Sequence, residues 1–429
     1  MSREMKQSGI HWIGVIPDSW KLDTIGNLYT LRNEKVSDRD FPPLSVTKQG
    51  ILPQLENVAK TDDGDNRKLV RVGDFAINSR SDRRGSCGIS SYDGSVSLIN
   101  TVMTPRGEMN PRYYSWLFRT ESFADEFYKW GHGIVDDLWT TRWQEMKRIS
   151  IVVPSLSEQQ KIASFLDRKC SEIDEMVALQ EKVIEELKAY KQSVITEAVT
   201  KGLNPDIPMK DSGIVWIGEI PEHWEAHPFK AFYKTTKGLN ITKDNLVESG
   251  IPVISYGQIH SKLNTGTSVS DELIRYVPTD YLDSNPECLS KKYDIFFADT
   301  SEDREGAGNI AFIDVDTPIF AGYHTIMAHP SDCVKSKYFA YLIKTDAWRY
   351  QLRCKVQGVK LFSISQKFVN QTSIIVPPMP EQIQISDYLD EKCSEIDTLI
   401  RIKQSKIDSL KEYKKSVIYE YVTGKKEVI

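Results

Sequence analysis

Six basic side chains fall between Asn66 and Gly85, namely Arg67, Lys68, Arg71, Arg80, Arg83 and Arg84, against only Asp74 and Asp82. The last three stand beside Gly85 on what reads as the loop after a strand. Arginine's planar fork suits phosphate oxygens or the O6/N7 edge of guanine. Further along, Ser255–Lys262 reads SYGQIHSK, where Tyr256, Gln258, His260 and Lys262 offer the groups that hydrogen-bond base edges. A solvated loop would carry the same composition, so neither stretch alone decides for binding.

Catalytic apparatus is not evident in the sequence. There is no GxxxxGKS/T phosphate loop, no HExxH, no GxSxG and no glycine-rich dinucleotide fingerprint. Asn110-Pro111-Arg112-Tyr113 approaches the NPPY-type sequence of adenine methyltransferases, but Arg112 replaces the second proline and no glycine-rich cofactor loop precedes it. Glu145-Met146-Lys147 and Glu186-Leu187-Lys188 fit a nuclease-like ExK fragment without a well-placed Pro-Asp partner. The 7 histidines form no metal-spaced cluster. The 6 cysteines are scattered without a CxxC pair, which argues against a disulfide framework or a zinc site. Cys170 and Cys393 are most simply small buried hydrophobes.

The elements that must position the candidate contacts occur twice. VPSLSEQQKIASFLDRKCSEID begins at Val153 and VPPMPEQIQISDYLDEKCSEID at Val376, and the identity of KCSEID at 169–174 and 392–397 points to internal duplication. Pro154 or Pro377 followed by Glu158 or Glu381 suits a helix start, and Gly202 or Gly424 marks the stop. Between these marks a heptad seam runs through Leu166, Cys170, Ile173, Val177, Gln180, Ile184, Leu187, Lys191, Val194 and Ala198. Its counterpart runs through Leu389, Cys393, Ile396, Ile400, Lys403, Ile407, Leu410, Lys414, Val417 and Tyr421. A stripe of about five heptads predicts helices roughly 65 Å long that pair with each other as a coiled coil. The polar positions Gln180, Lys191, Lys403 and Lys414 are expected to fix register at some cost in stability.

A second duplicated element precedes each half. SGIHWIGVIPDSW at Ser8–Trp20 recurs as SGIVWIGEIPEHW at Ser212–Trp224. The order element, globule, helix, given twice, implies pseudo-twofold symmetry, with each element near the helix end of the other half. The boundaries read as 1–20, 21–152, 153–202, 203–224, 225–375 and 376–429. The globules diverge but share landmarks: Ser45-Val46-Thr47-Lys48 against Ser255-Tyr256-Gly257-Gln258, Asp74 against Asp294, Ser81 against Ser301, and Arg84 against Arg304. Short β-branched and aromatic runs such as SLINTVM and NIAFIDV read as strands, and YYSWLFRT at Tyr113 and YFAYLIKT at Tyr338 as helices, so each globule is expected to be α+β.

Two to four domains fit a chain of 429 residues. Net charge of −5 neither demands nor excludes a nucleic-acid partner. No apolar run approaches the roughly 18 residues of a membrane span, and no signal peptide is evident, so a cytoplasmic location is expected.

The duplicated WIG-x-IP-x-x-W elements, the duplicated VP…EQ…LD-x-K-C-S-E-I-D helices and the two divergent globules resemble the specificity subunit (HsdS) of type I restriction-modification systems over essentially the whole chain. The resemblance implies an α+β fold with two globular target recognition domains separated by two long antiparallel coiled-coil helices. It implies a chain that recognises a bipartite double-stranded DNA target without catalysing a reaction. Partners would be two methyltransferase (HsdM) subunits and restriction (HsdR) subunits, and S-adenosylmethionine, ATP and Mg would bind in those partners. Candidate DNA contacts are Lys48, Arg80, Arg83 and Arg84 in the first domain and Tyr256, Gln258, His260, Lys262 and Arg304 in the second. Arg84 and Arg304 are expected to anchor backbone phosphates. The outward helix residues and the WIG elements are expected to bind methyltransferase subunits, unless Trp12, Trp20, Trp216 and Trp224 serve as internal packing anchors. A self-contained methyltransferase or nuclease and a coiled-coil protein scaffold remain the alternatives.

Overall fold

The structure, a computed structural model, describes residues 3–54, 64–80, 83–133, 139–356 and 361–428. The chain divides into two compact units, Met1–Lys182 with Lys403–Ile429, and Val183–Ile402.

In the first unit, Met5–Gln7 pairs with Val15–Pro17 as a hairpin. Ser8 shapes its loop: the Ser8 N–H donates to the Gly14 carbonyl at 3.0 Å and the Ser8 hydroxyl accepts from the Ile10 N–H at 3.1 Å. Lys21–Thr24 then pairs antiparallel with Ser150–Val153, closing the globule at its two ends. Inside lies an antiparallel sheet of β1 (Tyr29–Arg32), β2 (Phe75–Asn78), β3 (Cys87–Ile89) and β4 (Asn100–Pro105), in spatial order β3-β2-β4-β1. β2 is buried on both faces, which matches its apolar FAI run. Helices α1 (Pro111–Phe118) and α2 (Glu121–Lys129) start where Asn110 and Thr120 accept from the N–H groups of Tyr113 and Phe123. They pack aromatic faces on the sheet, with Phe75 and Phe118 ring centres 4.6 Å apart.

The second unit repeats this plan. Ser212 shapes the Met209–Asp211/Glu219–Pro221 hairpin as Ser8 does, with Ser212 N to Gly218 O at 3.0 Å and Ile214 N to Ser212 Oγ at 3.1 Å. Glu225–Pro228 pairs with Ser373–Val376. The sequence duplication therefore reaches the globules, where side-chain identity had largely faded.

The long helices are α3 (Leu156–Lys201) and, near the C-terminus, α6 (Met379–Val422). Between them lie β5 (Tyr233–Lys237), β6 (Ile295–Ala298), β7 (Ile310–Phe312) and β8 (Thr325–Pro330), with α4 (Tyr338–Lys344) and α5 (Asp346–Arg353). The sheet order is β7-β6-β8-β5, the same topology as in the first unit. A smaller sheet is where the units differ. In the first unit Arg67–Val70 lies between Gly94–Val96 and Lys35–Val36, antiparallel to both. In the second, Ile251–Ile254 pairs antiparallel with Arg275–Val277 and parallel with Phe320–Ala321.

Each unit contains its own stretch of antiparallel helix pair. In the first, Phe165 meets Tyr421 at 4.3 Å between ring centres, Asp174 meets Lys414 at 2.6 Å and Glu181 meets Lys411 at 3.7 Å, so one chain direction rises as the other falls. In the second, Lys191 meets Asp397 at 2.7 Å. Asp174–Lys414 and Lys191–Asp397 are the same pair written twice by the duplication. Leu166, Ile173, Ile184, Leu389, Ile396 and Ile407 of the seam are buried, and Val177, Leu187, Ile400 and Leu410 half-buried. The lysine pairs, with Asp397 half exposed, contribute at most about 1 kcal/mol each, so they set register more than stability.

The repeat elements pack as the duplication suggests. The Tyr419 hydroxyl and the Lys425 ammonium donate to the Trp12 and Ile13 carbonyls at 3.1 and 2.6 Å, placing the first element on the end of α6. The second element meets the end of α3, where a Cβ at Gly202 would lie 3.3 Å from the Trp224 ring. Trp20 Nε1 donates to Glu158 and Trp224 Nε1 to Glu381, which gives the paired Trp and Glu a shared structural purpose. Trp12, Trp20 and Trp224 are buried packing anchors, whereas Trp216 is 38% exposed. No helix among the described residues is long and apolar enough to cross a membrane.

Candidate nucleic-acid interface

In each unit three strand ends meet at the same junction, built by equivalent backbone hydrogen bonds. In the first, the Ser79 N–H donates to Ile99 O at 3.3 Å and the Thr141 N–H to Ser79 O at 3.0 Å. In the second, the Asp299 N–H donates to His324 O at 3.0 Å and the Ile364 N–H to Asp299 O at 2.8 Å. The junction gathers the loop after β2 or β6, the turn into β4 or β8, and the segment before the last short helix. A fixed backbone frame thus presents side chains that differ between the units.

Around the first junction, Arg80, Arg83 and Arg84 are exposed. The Arg80 carbonyl accepts from the Tyr128 hydroxyl at 2.8 Å, and Arg84 pairs with Asp125 on α2. Lys48 is exposed at the tip of the hairpin formed by Leu44–Thr47 and Gly50–Pro53, and its carbonyl accepts from Arg119 at 3.2 Å. Ser81 and Asp82 lie outside the described residues. The rest of the basic run serves the fold: Arg67 is buried and donates to the Ser95 hydroxyl and carbonyl at 2.8 and 3.0 Å, Lys68 donates to Asn100 O at 2.7 Å, and Arg71 pairs with Asp93 at 2.9 Å. The landmark Asp74 is equally internal, joined to Arg32 at 2.7 Å and to the Thr104 hydroxyl at 2.8 Å.

Around the second junction lie two clefts, of about 850 and about 800 Å³, that share His324. Tyr256 and His260 line the first of them, with Thr300, Asn309 and Arg349. His260 has both ring nitrogens engaged, one with the Asn309 side chain at 2.9 Å and one with Thr300 O at 2.8 Å. Asn309 in turn accepts from Arg349 at 2.7 Å. Burial, reinforced by the neighbouring Arg353 charge, lowers the Arg349 guanidinium to about 10. The Gln258 amide oxygen accepts from Ser255 N–H at 3.1 Å to close a capping box on Tyr256–Ile259, where the sequence had suggested an open polar string. Lys262 and Arg304 are exposed, and Arg304 donates to Arg353 O at 3.0 Å, the end of α5. Arg84 and Arg304, in register in the sequence, are thus tied to the equivalent helices α2 and α5.

Sequence reasoning read Leu98-Ile99 into the strand run SLINTVM, where the structure has a turn before Asn100, and passed over the matching turn Tyr323-His324. Aligning the strand starts Asn100-Thr101-Val102-Met103 and Thr325-Ile326-Met327-Ala328 would have brought them together. Among the described residues no group of three or more side chains is arranged to hold a metal ion.

The chain thus holds two copies of one α+β module, each with its own loop cluster on an equivalent backbone frame. Residues 221–424 match the family described as the type I restriction modification DNA specificity domain. The type I restriction enzyme MjaVIII specificity subunit of Methanocaldococcus jannaschii is 26% identical over 65% of this chain, and the match spans 62% of that relative's length. The putative MjaX specificity subunit of the same organism is 22% identical over 96% of this chain and 95% of its own. In fold, the chain is similar to a structure described under complex assembly and conformational transition of the type I R-M system, with TM-score 0.70, 14% identity and coverage of 95% and 98%. It is also similar to the HsdS subunit from Thermoanaerobacter tengcongensis, with TM-score 0.55, 15% identity and the same coverage. The chain is thus similar in sequence to type I restriction enzyme specificity subunits, and in fold to the HsdS subunit.

Proposed function

We propose that this chain confers DNA sequence specificity on a type I restriction-modification complex, each module reading one half of a bipartite double-stranded target. The observation that carries this reading is the duplicated junction: one backbone frame, built twice, with unlike side chains on it. Phosphate contacts position a protein while base contacts specify, and a fixed frame with variable tips provides for both. Lys48, Arg80, Arg83, Arg84, Tyr256, Gln258, His260, Lys262 and Arg304 are the proposed contacts, with Arg84 and Arg304 on phosphates. The helices act as a stiff spacer, so pairing with DNA becomes sensitive to half-site separation. Catalysis is assigned to the partners: methylation to two methyltransferase subunits, translocation and cleavage to restriction subunits, with S-adenosylmethionine, ATP and Mg bound there. The complex works in the cytoplasm.

A second duplicated feature supports two equivalent partners. Exposed apolar residues recur on the helices at matched positions, Met176 with Leu399, Leu179 with Ile402, and Tyr190 with Tyr413. The first unit carries Met176, Leu179 and Tyr413, and the second Leu399, Ile402 and Tyr190. Each unit therefore carries one matched set of exposed apolar side chains on its helices.

The test is co-purification with the methyltransferase subunit, followed by selection from random DNA. The expected outcome is two methyltransferase subunits per chain and enriched sequences with two short invariant blocks at fixed separation. Leu179→Asp is expected to leave one subunit bound, and Leu179→Asp with Ile402→Asp none, read by native mass spectrometry. Enrichment of a single uninterrupted block, or methyl transfer by the chain alone, would overturn the reading.

A further inference from the structure

We propose that the turn entering the last long strand of each module is its base-reading tip, with His324 hydrogen-bonding a base edge in the second half-site and Leu98-Ile99 making apolar contact in the first. This rests on the DNA reading above and deepens it.

Equivalence comes from the backbone. Ile99 O and His324 O accept from corresponding N–H groups, those of Ser79 and Asp299, and each stands immediately before its strand. All of these tip residues are accessible: Leu98 is 39% and Ile99 36% exposed, and the His324 side chain 56%. An exposed aliphatic pair does not bind phosphate, yet it suits the C5-methyl of thymine in the major groove. One position on a shared frame, apolar in one module and polar in the other, is what reading requires and anchoring does not.

His324 carries marks of a held position. Its φ of +54° is left-handed, uncommon for a residue other than glycine, and such backbone persists where the surroundings over-determine it. Those surroundings are Tyr256 and Tyr323, whose rings lie edge-on at 5.3 and 6.1 Å from the imidazole. Asp299 lies 3.1 Å from Nδ1, which keeps a proton on that nitrogen. In the neutral ring the Nε2 lone pair is then the free acceptor, suited to the exocyclic amino group of adenine or cytosine. Among the described residues Nε2 has no partner. The ring stands where the two clefts meet, so a base edge entering either would encounter it.

The test maps methylated sites genome-wide after co-expressing the full chain with its methyltransferase subunit. For His324→Ala, preference at one position of one half-site is expected to relax by about ten- to a hundredfold, the discrimination carried by a good base contact, with the other half unchanged. For Ile99→Ser, the change falls in the opposite half. His324→Asn, which tolerates left-handed backbone, should alter the accepted base while keeping full complex yield. A split wild-type motif that all three variants leave unchanged would overturn the inference alone. A wild-type chain that directs no split motif would overturn the underlying reading and the inference with it.

Discussion

Replacing Trp224 by alanine is expected to destabilise the second module by about 3–5 kcal/mol, the range for emptying a large buried aromatic site. The ring is fully buried, meets Tyr338 edge-on at 6.3 Å and contacts the α3 stop at Gly202, while Nε1 donates to Glu381 at 2.8 Å. Its loss therefore opens a cavity and strips a carboxylate of a donor at the start of α6. Denaturant unfolding of the full chain should show this drop. Trp216→Ala, at an exposed position of the same element, should cost less than about 1 kcal/mol. Equal effects of the two substitutions would contradict the packing assigned to the element.

Gln382→Leu is expected to cost about 3 kcal/mol or more, although leucine nearly matches the side chain in size. The Gln382 amide is fully buried and donates to Cys333 O at 3.1 Å and Pro377 O at 2.8 Å, while its oxygen accepts from the Ser336 hydroxyl at 2.7 Å. Removing it leaves the Pro377 carbonyl and the Ser336 hydroxyl without this partner in an enclosed site, at about 1–3 kcal/mol each. Gln159 does the same work in the first module, donating to Pro154 O at 2.9 Å and accepting from the Asn110 N–H at 2.8 Å. The Glu-Gln pair of the duplicated motif is thereby explained: the glutamate holds the tryptophan, and the glutamine ties the helix start to the globule. Lys191→Ala, which breaks a half-exposed ion pair, is the matched mild change, at less than about 1 kcal/mol.

The duplicated parts were legible because each residue appeared twice in the same setting. The seam, the helix starts at Pro154 and Pro377, the glycine stops and the packing of each repeat element on the other half's helix end all follow from that internal alignment. Gly202 and Gly424 take φ of +76° and +72°, the left-handed turn that ends a helix. The globules were less legible, because tertiary pairing overrides local pattern there. Leu44–Thr47 forms a strand while Tyr256–Ile259 forms a helical turn. Yet the parallel bridge Pro43↔Ser95 and the parallel pair Val253↔Phe320 hold the flanking chain in the register that Ser45 and Ser255 suggested. Charge counting was also blind to partners. Arg67 and Lys68 look like Arg80, Arg83 and Arg84 in sequence, but they are buried or half-buried on Ser95 and Asn100, while Arg71 is exposed and paired with Asp93 much as Arg84 is with Asp125. The Tyr323-His324 turn left no trace in periodicity or composition, because its left-handed backbone carries no sequence pattern of its own.

The central claim is that two independent readers share one chain, and exchange of modules tests it most directly. Residues 21–152 or 225–375 would be replaced by the matching segment of a type I specificity subunit, and methylated sites mapped with the same methyltransferase. The account predicts a split motif in which each exchange rewrites one block, a different block for each, and leaves the other block intact. Both blocks changing together, or neither changing in an assembled complex, would contradict it.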